Sequence, residues 1–160
     1  MQISSPIPDR HLGEAARLWW GAFAPLGGGR APAIRACHGI AAIGPDGRVA
    51  GVAGFRDHEG GFLADTPTLA RLLFRAAPET PDLVIDGLVV DRPRRGTGRA
   101  LLAAAAGIAC RAGRPGLRAE VELRNRSAML FYGATGFAEI GRGRFGWPWS
   151  GPVAILRRPL

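Results

Sequence analysis

The chain has no lysine: all 21 of its basic residues are arginine. A Walker-type nucleotide site needs a lysine on the β- and γ-phosphates, so that chemistry is excluded. Cysteine is almost as scarce. The two thiols, Cys37 and Cys110, are too few for a disulfide framework and read as reduced thiols of a cytoplasmic protein. No apolar run reaches membrane-spanning length, and the opening MQISSPIPDRHLGE lacks the apolar stretch of a signal peptide. Neither membrane insertion nor secretion is expected. His11, His38 and His58 show no metal-ligand spacing, so no metal is expected, and no His/Cys or Ser/His arrangement suggests a covalent acyl-enzyme.

Acidic residues number 13, leaving a net charge of +8. Apart from a cluster at 92–99 the arginines are scattered, so nucleic acid is not the expected partner. Arginine as the sole basic residue, beside abundant alanine and glycine, suggests coding bias in a high-GC, bacterial genome. At 160 residues the chain reads as one domain, 1–160, large enough to bury a core.

What is present is concentrated in Leu83 to Arg99, LVIDGLVVDRPRRGTGR. A near-continuous apolar run reads as a buried strand, followed by an Arg- and Gly-rich loop that opens an Ala/Leu-rich helix. Gly96 and Gly98 let the backbone turn N–H groups toward a ligand, and the helix dipole adds roughly half a positive charge there. Arg92, Arg94, Arg95 and Arg99 surround this cradle, so the expected ligand carries phosphates. A dinucleotide fits poorly, because the third fingerprint glycine is missing and only about sixty residues follow. Glu120 and Glu122 lie near the spacing of a ribose-binding acid, which keeps that alternative open.

A second segment follows, Asn125-Arg-Ser-Ala-Met-Leu-Phe-Tyr132-Gly-Ala-Thr-Gly136-Phe137. Its Asn125 and Tyr132 are the chain's single asparagine and single tyrosine. Asn125 is a good N-cap and Gly136 a good stop, which predicts a helix over 126–135. Seven residues is close to two turns, so Asn125 and Tyr132 share a face, about 10 Å apart along the axis. Taken alone, the pair could be a cap and a core tyrosine.

Together the two motifs resemble the GNAT superfamily of acetyl-CoA-dependent N-acetyltransferases. The first signature corresponds to Arg95-Gly96-Thr97-Gly98-Arg99-Ala100 after Val90. The second corresponds to Asn125, Ala128, Phe131, Tyr132, Gly136 and Phe137. The resemblance is specific over 83–140 and loose elsewhere. Gly133 departs from it, standing where the family tends to carry a charged helix former, at a cost of about 1 kcal/mol of helix stability.

The resemblance implies a mixed α/β fold: a central, mostly antiparallel sheet of about six to seven strands flanked by helices. It implies acetyl-CoA as co-substrate and direct attack by a primary amine in a ternary complex. Leu88, Val89 and Val90 would offer backbone groups to the pantetheine arm and thioester. Residues Arg95, Gly96, Thr97, Gly98, Arg99 and Ala100 would hold the pyrophosphate, and Asn125 would contact the cofactor arm. Tyr132 would sit beside the sulfur as general acid. A phenol with a pKa near 10 is protonated at neutral pH and suits that role.

The general base is open between Asp86 and Glu122. Asp86 is two positions from Leu88, so strand pleating predicts the same face for both. It could equally be a carboxylate satisfied by an arginine. The acceptor is a small-molecule or peptide amine of unknown identity. Its groove would be walled by the first two helices and the final strand pair, which carry Trp19, Trp20, Trp147 and Trp149. These four are either core and loop packing or an aromatic wall for an apolar amine or ammonium. A homodimer is entertained. Two other classes stay open: an acyl-CoA-binding module without turnover, and a basic nucleic-acid-binding domain.

Along the chain, residues 1–5 predict an edge strand, and Pro8-Asp9 starts a helix to about Phe23. A short helix is expected over 31–37, a hairpin of strands 39–44 and 48–56 turns at Pro45-Asp46-Gly47, and Asp65 caps a helix over 67–77. Then come the strand at 83–90, a helix ended by Gly113, a strand at 117–123, the Asn125 helix and strands at 137–141 and 153–157.

Overall fold

The computed structural model describes residues 1–23, 29–65, 73–92 and 96–160. In chain order they form β1 (Gln2–Ser4), α1 (Asp9–Phe23), a 3-10 turn (Ala36–His38), β2 (Gly39–Ile43), β3 (Val49–Arg56), β4 (Leu83–Val90), α2 (Thr97–Arg111), β5 (Gly116–Glu122), α3 (Arg126–Gly133), β6 (Ala138–Gly143) and β7 (Val153–Pro159). The strands make one seven-stranded sheet in the order β1-β2-β3-β4-β5-β7-β6. Every neighbouring pair is antiparallel except β4 with β5, which is parallel. The mixed, mostly antiparallel sheet expected from the sequence is what forms.

Period-2 patterning sorts the strands onto two cores. Ala53, Phe55, Ile85, Leu117, Ala119 and Val121 face α2 and α3, whose Leu101, Leu102, Ala105 and Tyr132 complete that core. Ala41, Ile43, Val49 and Val52 face the other way, against Ala15 and Trp19 of α1 and against Phe62. The alanines of α2 let its axis lie close to the sheet: a Cβ on Gly51 of β3 would stand 3.0 Å from Thr97 and 3.2 Å from Leu101. Burial of these apolar faces is the main stabilising term, on the order of 25 cal/mol per Å².

Two predicted helices need correction. Residues 31–35 are not helical; Ile34 makes a bridge with Leu63, and only the single turn Ala36–His38 follows. A proline at 32 and a β-branched residue at 34 favour extended backbone there. The helix expected over 67–77 lies largely outside the described residues, but its last part is described. Phe74 to Ala77 are not helical, and Arg75 pairs with Gly146 through two backbone hydrogen bonds of 2.8 Å. The Asn125 helix ends two residues before its expected limit, at Gly133, and Thr135 and Gly136 close it with backbone bonds to Tyr132 and Gly133.

Candidate active site

Strand β4 pairs with β3 from Val84 to Val90, but with β5 only over Leu83↔Leu117, Val84↔Arg118 and Ile85↔Ala119. Strand β5 keeps β7 as its other partner along its whole length. Beyond Ile85 and Ala119 the two parallel strands therefore part. Among the described residues the backbone groups of Leu88, Val89 and Val90 on that side have no ladder partner, which leaves them open for an extended ligand. Leu88 and Val90 lean toward the α2 core, and Val89 toward the α1 core.

At the end of β4 the glycine loop enters α2. Gly96 is the N-cap with φ 79°, a left-handed conformation that glycine adopts without steric cost. It has no side chain to satisfy the helix start, and the first ladder bond runs from Ala100 N–H to Gly96 C=O at 3.0 Å. The N–H groups of Thr97, Gly98 and Arg99 precede that bond and make an anion cradle at the positive end of the dipole. Thr97 is buried and Arg99 exposed. A Cβ on Gly98 would come 3.2 Å from the Phe131 ring of α3, so any side chain there requires that ring to give by a few tenths of an ångström. Arg95 lies outside the described residues.

Beside the cradle is a groove of about 320 Å³ lined by Arg99, Leu102, Ala103, Ala106, Thr135 and Arg158. Arg158 is fixed in it, donating to the Thr135 carbonyl at 3.2 Å and lying 5.7 Å from the centroid of the Phe137 ring. Nothing in the strand pattern around Arg158 singled it out.

Tyr132 is buried in the α2–α3 core, 5.0 Å from the Phe137 ring centroid and 5.3 Å from that of Phe131. Among the described residues its hydroxyl has no hydrogen-bond partner. Burial pushes the phenol well above its ordinary value, so it stays protonated. Asn125 is the N-cap of α3, its Oδ1 accepting from Ala128 N–H at 3.1 Å. Capping uses the amide oxygen and leaves the NH₂ group for another partner.

Asp86 is not on the face predicted for it. Gly54 pairs with Gly87 while the next residue, Phe55, pairs with Ile85, so Asp86 is the extra residue of a β-bulge. Ile85 and Leu88 both face the α2 core although they are three apart. The bulge turns Asp86 to the opposite face, where Gly61 and the side chain of Arg56 approach it. One residue inserted into a ladder defeats any argument from pleat period.

That face carries a charge network. Arg56 holds Asp86 with one arm and donates to Glu120 Oε1 at 2.9 Å with the other. Arg118 Nη2 lies 3.0 Å from the same Glu120 oxygen, and Arg118 Nη1 donates to the Pro78 carbonyl at 2.6 Å. Burial raises the Asp86 carboxyl above its ordinary range, opposed by Arg56 but reinforced by the neighbouring Glu120. Burial alone would lower Arg56, yet its two carboxylates hold it above its usual value and permanently charged. Glu122, half-buried on the same side of β5, is held by Arg124. Nothing in their sequence spacing shows that Arg56 and Glu120, 64 positions apart, meet.

The four tryptophans separate into two groups. Trp19 is buried against Phe23 and Phe62, and a Cβ on Gly87 would lie 2.7 Å from both Trp19 Nε1 and Phe23. Trp19 Nε1 and Trp20 Nε1 are buried without partners among the described residues. Trp147 and Trp149 stack 5.4 Å apart between β6 and β7, with Phe74 edge-on to Trp147.

This open sheet, parted between two parallel strands beside a glycine-capped helix start, defines the acetyltransferase class of α/β folds. The profile of the Acetyltransferase (GNAT) family matches residues 8–137, and the chain belongs to that family. No curated protein matches the sequence significantly. Among solved structures, it resembles the ribosomal-protein-S18-alanine N-acetyltransferase from Escherichia coli at 20% identity, covering 99% of this chain and 92% of that one, with a TM-score of 0.65. It also resembles Naa20 of Chaetomium thermophilum, solved with a bisubstrate analogue, at 16% identity over 100% and 87% of the two chains, TM-score 0.60. A Bacillus anthracis protein solved with acetyl coenzyme A is 20% identical, TM-score 0.57; the match covers 76% of this chain and 61% of that one. The chain thus spans less than two thirds of that relative's length. No helix of the described residues is long and apolar enough to cross a membrane.

Proposed function

We propose that this protein is an N-acetyltransferase that moves the acetyl group of acetyl-CoA to a primary amine by direct attack in a ternary complex. One observation carries the reading: β4 and β5 part beside the α2 N-terminus, with a protonated phenol on one face of the sheet and a carboxylate cluster on the other. The residues present fit acetyl-CoA. The N–H groups of Thr97, Gly98 and Arg99 take the pyrophosphate. The groove with Arg99 and Arg158 takes the phosphorylated nucleoside end, where bidentate guanidinium contacts suit phosphate. The open backbone of Leu88 to Val90 takes the amide-bearing arm as an added strand, and the Asn125 amide supplies a donor to it.

Acetyl-CoA supplies the thioester; the chain supplies position and protons. Tyr132 donates a proton to the departing thiolate sulfur. The amine approaches from the α1 face, where Asp86 or Glu122 removes its proton directly or through water. Trp19 and Phe23 of α1 close over Gly87, where a Cβ would stand 2.7 Å from both, and so wall the acceptor side of β4. A ribosomal-protein-S18-alanine N-acetyltransferase and a putative streptothricin acetyltransferase share this fold, which supports an amine of peptide or small-molecule origin without choosing between them.

The test is isothermal titration with acetyl-CoA, then an amine panel scored by release of free CoA. Binding followed by turnover on any amine is the expected result. Tight binding with no release across peptide and small-molecule amines would favour an acyl-CoA-binding module instead.

A further inference from the structure

At the end of the sheet away from the cradle, three side chains form a chain of contacts that acetyl transfer does not use. Cys37 Sγ lies 3.3 Å from His38 Nδ1, and His38 Nε2 lies 3.3 Å from Asp57 Oδ1. The sequence shows Cys37 and His38 as neighbours, but only the turn Ala36–His38 and the end of β3 bring Asp57 to the far side of the ring. The cysteine is exposed, while the imidazole is buried, its ring centroid 5.6 Å from that of Phe55. This is a His/Cys arrangement, contrary to the expectation that none exists.

The geometry points to Cys37 as a nucleophilic thiol, with His38 as its base and Asp57 orienting the ring, that undergoes exchange with a small disulfide bearing carboxylates. Asp57 accepts from the N–H of Glu59 at 2.8 Å. Burial would raise Asp57, but that bond, His38 and Arg114 together bring it below its ordinary value, so it is ionised at neutral pH. In the tautomer that donates Nε2–H to Asp57, the Nδ1 lone pair faces the sulfur. The thiolate, not the thiol, is the attacking species.

The charges around the site select the reagent. Arg114 lies 3.8 Å from Asp57 Oδ2 and contacts His58 Nδ1, and its Nε is buried with no partner among the described residues. Arg35 stands on the other side: a Cβ on Gly60 would run into its guanidinium and sit 3.7 Å from His38 Cε1. The exposed Glu59, 3.9 Å from His58 Nε2, is the other nearby acid. Arg35, two residues before Cys37, and Arg114, against Asp57, give this end of the sheet two guanidiniums, which favour an anionic partner over a cationic one.

The step balances without a further reagent. The Cys37 proton passes to His38 Nδ1, and the thiolate attacks one sulfur of the disulfide. A new S–S bond forms to Cys37, the old S–S bond breaks, and the leaving thiolate takes the proton from His38. Cys37 is oxidised to a mixed disulfide and half of the reagent is reduced to a thiol.

Cys110, also exposed, is an internal reference in the same molecule. The intact protein is treated with limiting iodoacetamide from pH 5.5 to 9.5, and both cysteine peptides are quantified by mass spectrometry. Cys37 should react about tenfold faster than Cys110 at pH 7. Equal rates across that pH range would overturn the proposal, with no variant needed. His38→Gln should bring Cys37 to the Cys110 rate, and an unchanged rate removes His38 as base. Exchange is then compared between oxidised glutathione and cystamine. Faster mixed-disulfide formation with oxidised glutathione supports the anionic reagent, and a preference for cystamine refutes it.

Discussion

Arg56 Nη2 donates to Glu120 Oε1 at 2.9 Å, bridging the point where β4 and β5 separate. Its other arm holds Asp86, the extra residue of the bulge. One guanidinium thus ties β3 to both lips of the parting. With Arg118 on Glu120, two carboxylates face two cations at the site. Any base drawn from this cluster must act while partly neutralised, or through a water that its free oxygen holds.

Arg56→Gln leaves two carboxylates facing each other with one cation between them and no bridge. The Arg56 side chain is 36% exposed, so the loss lies near the charged hydrogen-bond range of about 2 kcal/mol rather than the larger cost of breaking a fully buried pair. Urea denaturation should show a lower midpoint with unchanged slope. An unmoved midpoint would mean the bridge is not structural.

Tyr132→Phe keeps the ring packed between Phe131 and Phe137 while removing the proton donor. Acetyl-CoA should bind as before, and kcat should fall about 10²-fold, the usual scale for a positioned acid. Removing a hydroxyl without a protein partner should not cost stability. A variant with wild-type kcat on a true acceptor reassigns protonation of the sulfur to water.

The cradle is tested by charge rather than by bulk. Any Cβ at position 98 meets Phe131 at 3.2 Å, so Gly98→Asp and Gly98→Asn ask the same small shift of that ring. They differ in one respect: aspartate places its own anion among the N–H groups meant for phosphate. Calorimetry should find acetyl-CoA binding abolished in the aspartate variant and measurable in the asparagine variant. Equal loss in both would trace the effect to packing against α3.

Most of this fold is legible from pattern. Strand Leu83–Val90 and helix start 96–97 follow from an apolar run broken by glycine, and Asn125 caps its helix as a lone asparagine should. The faces fail where a ladder is irregular. Pleat period places Asp86 beside Leu88, and the bulge opposite Gly54 and Phe55 reverses it. Long-range pairs are equally hidden, since Arg56 meets Glu120 across 64 positions and His38 meets Asp57 across 19. The residues between 31 and 35 carry some helix-forming alanine, but Pro32 and the bridge of Ile34 to Leu63 win.

The base is decided by pH. Burial raises the Asp86 carboxyl, so its proton-free form accumulates only above the ordinary carboxylate value of about 4. If Asp86 takes the proton from the amine, kcat/KM rises with pH through that displaced ionisation, and Asp86→Asn removes the lower limb. Stability moves in the opposite sense. A carboxyl whose folded pKa exceeds its unfolded one stabilises most below the unfolded value, and that contribution is lost as pH rises through the folded pKa. Asp86→Asn should therefore flatten the decline in stability that the wild-type chain shows as pH rises above about 4. Glu122→Gln serves as the comparison, because Glu122 is held by Arg124 rather than by the bridging Arg56. Two acceptors of different pKa separate enzyme from substrate: a limb that moves with the amine reports deprotonation in solution before binding. Retention of the wild-type profile by both variants excludes both residues as the base. We expect Asp86→Asn to show the larger loss, since Asp86 lies at the mouth of the parting between β4 and β5.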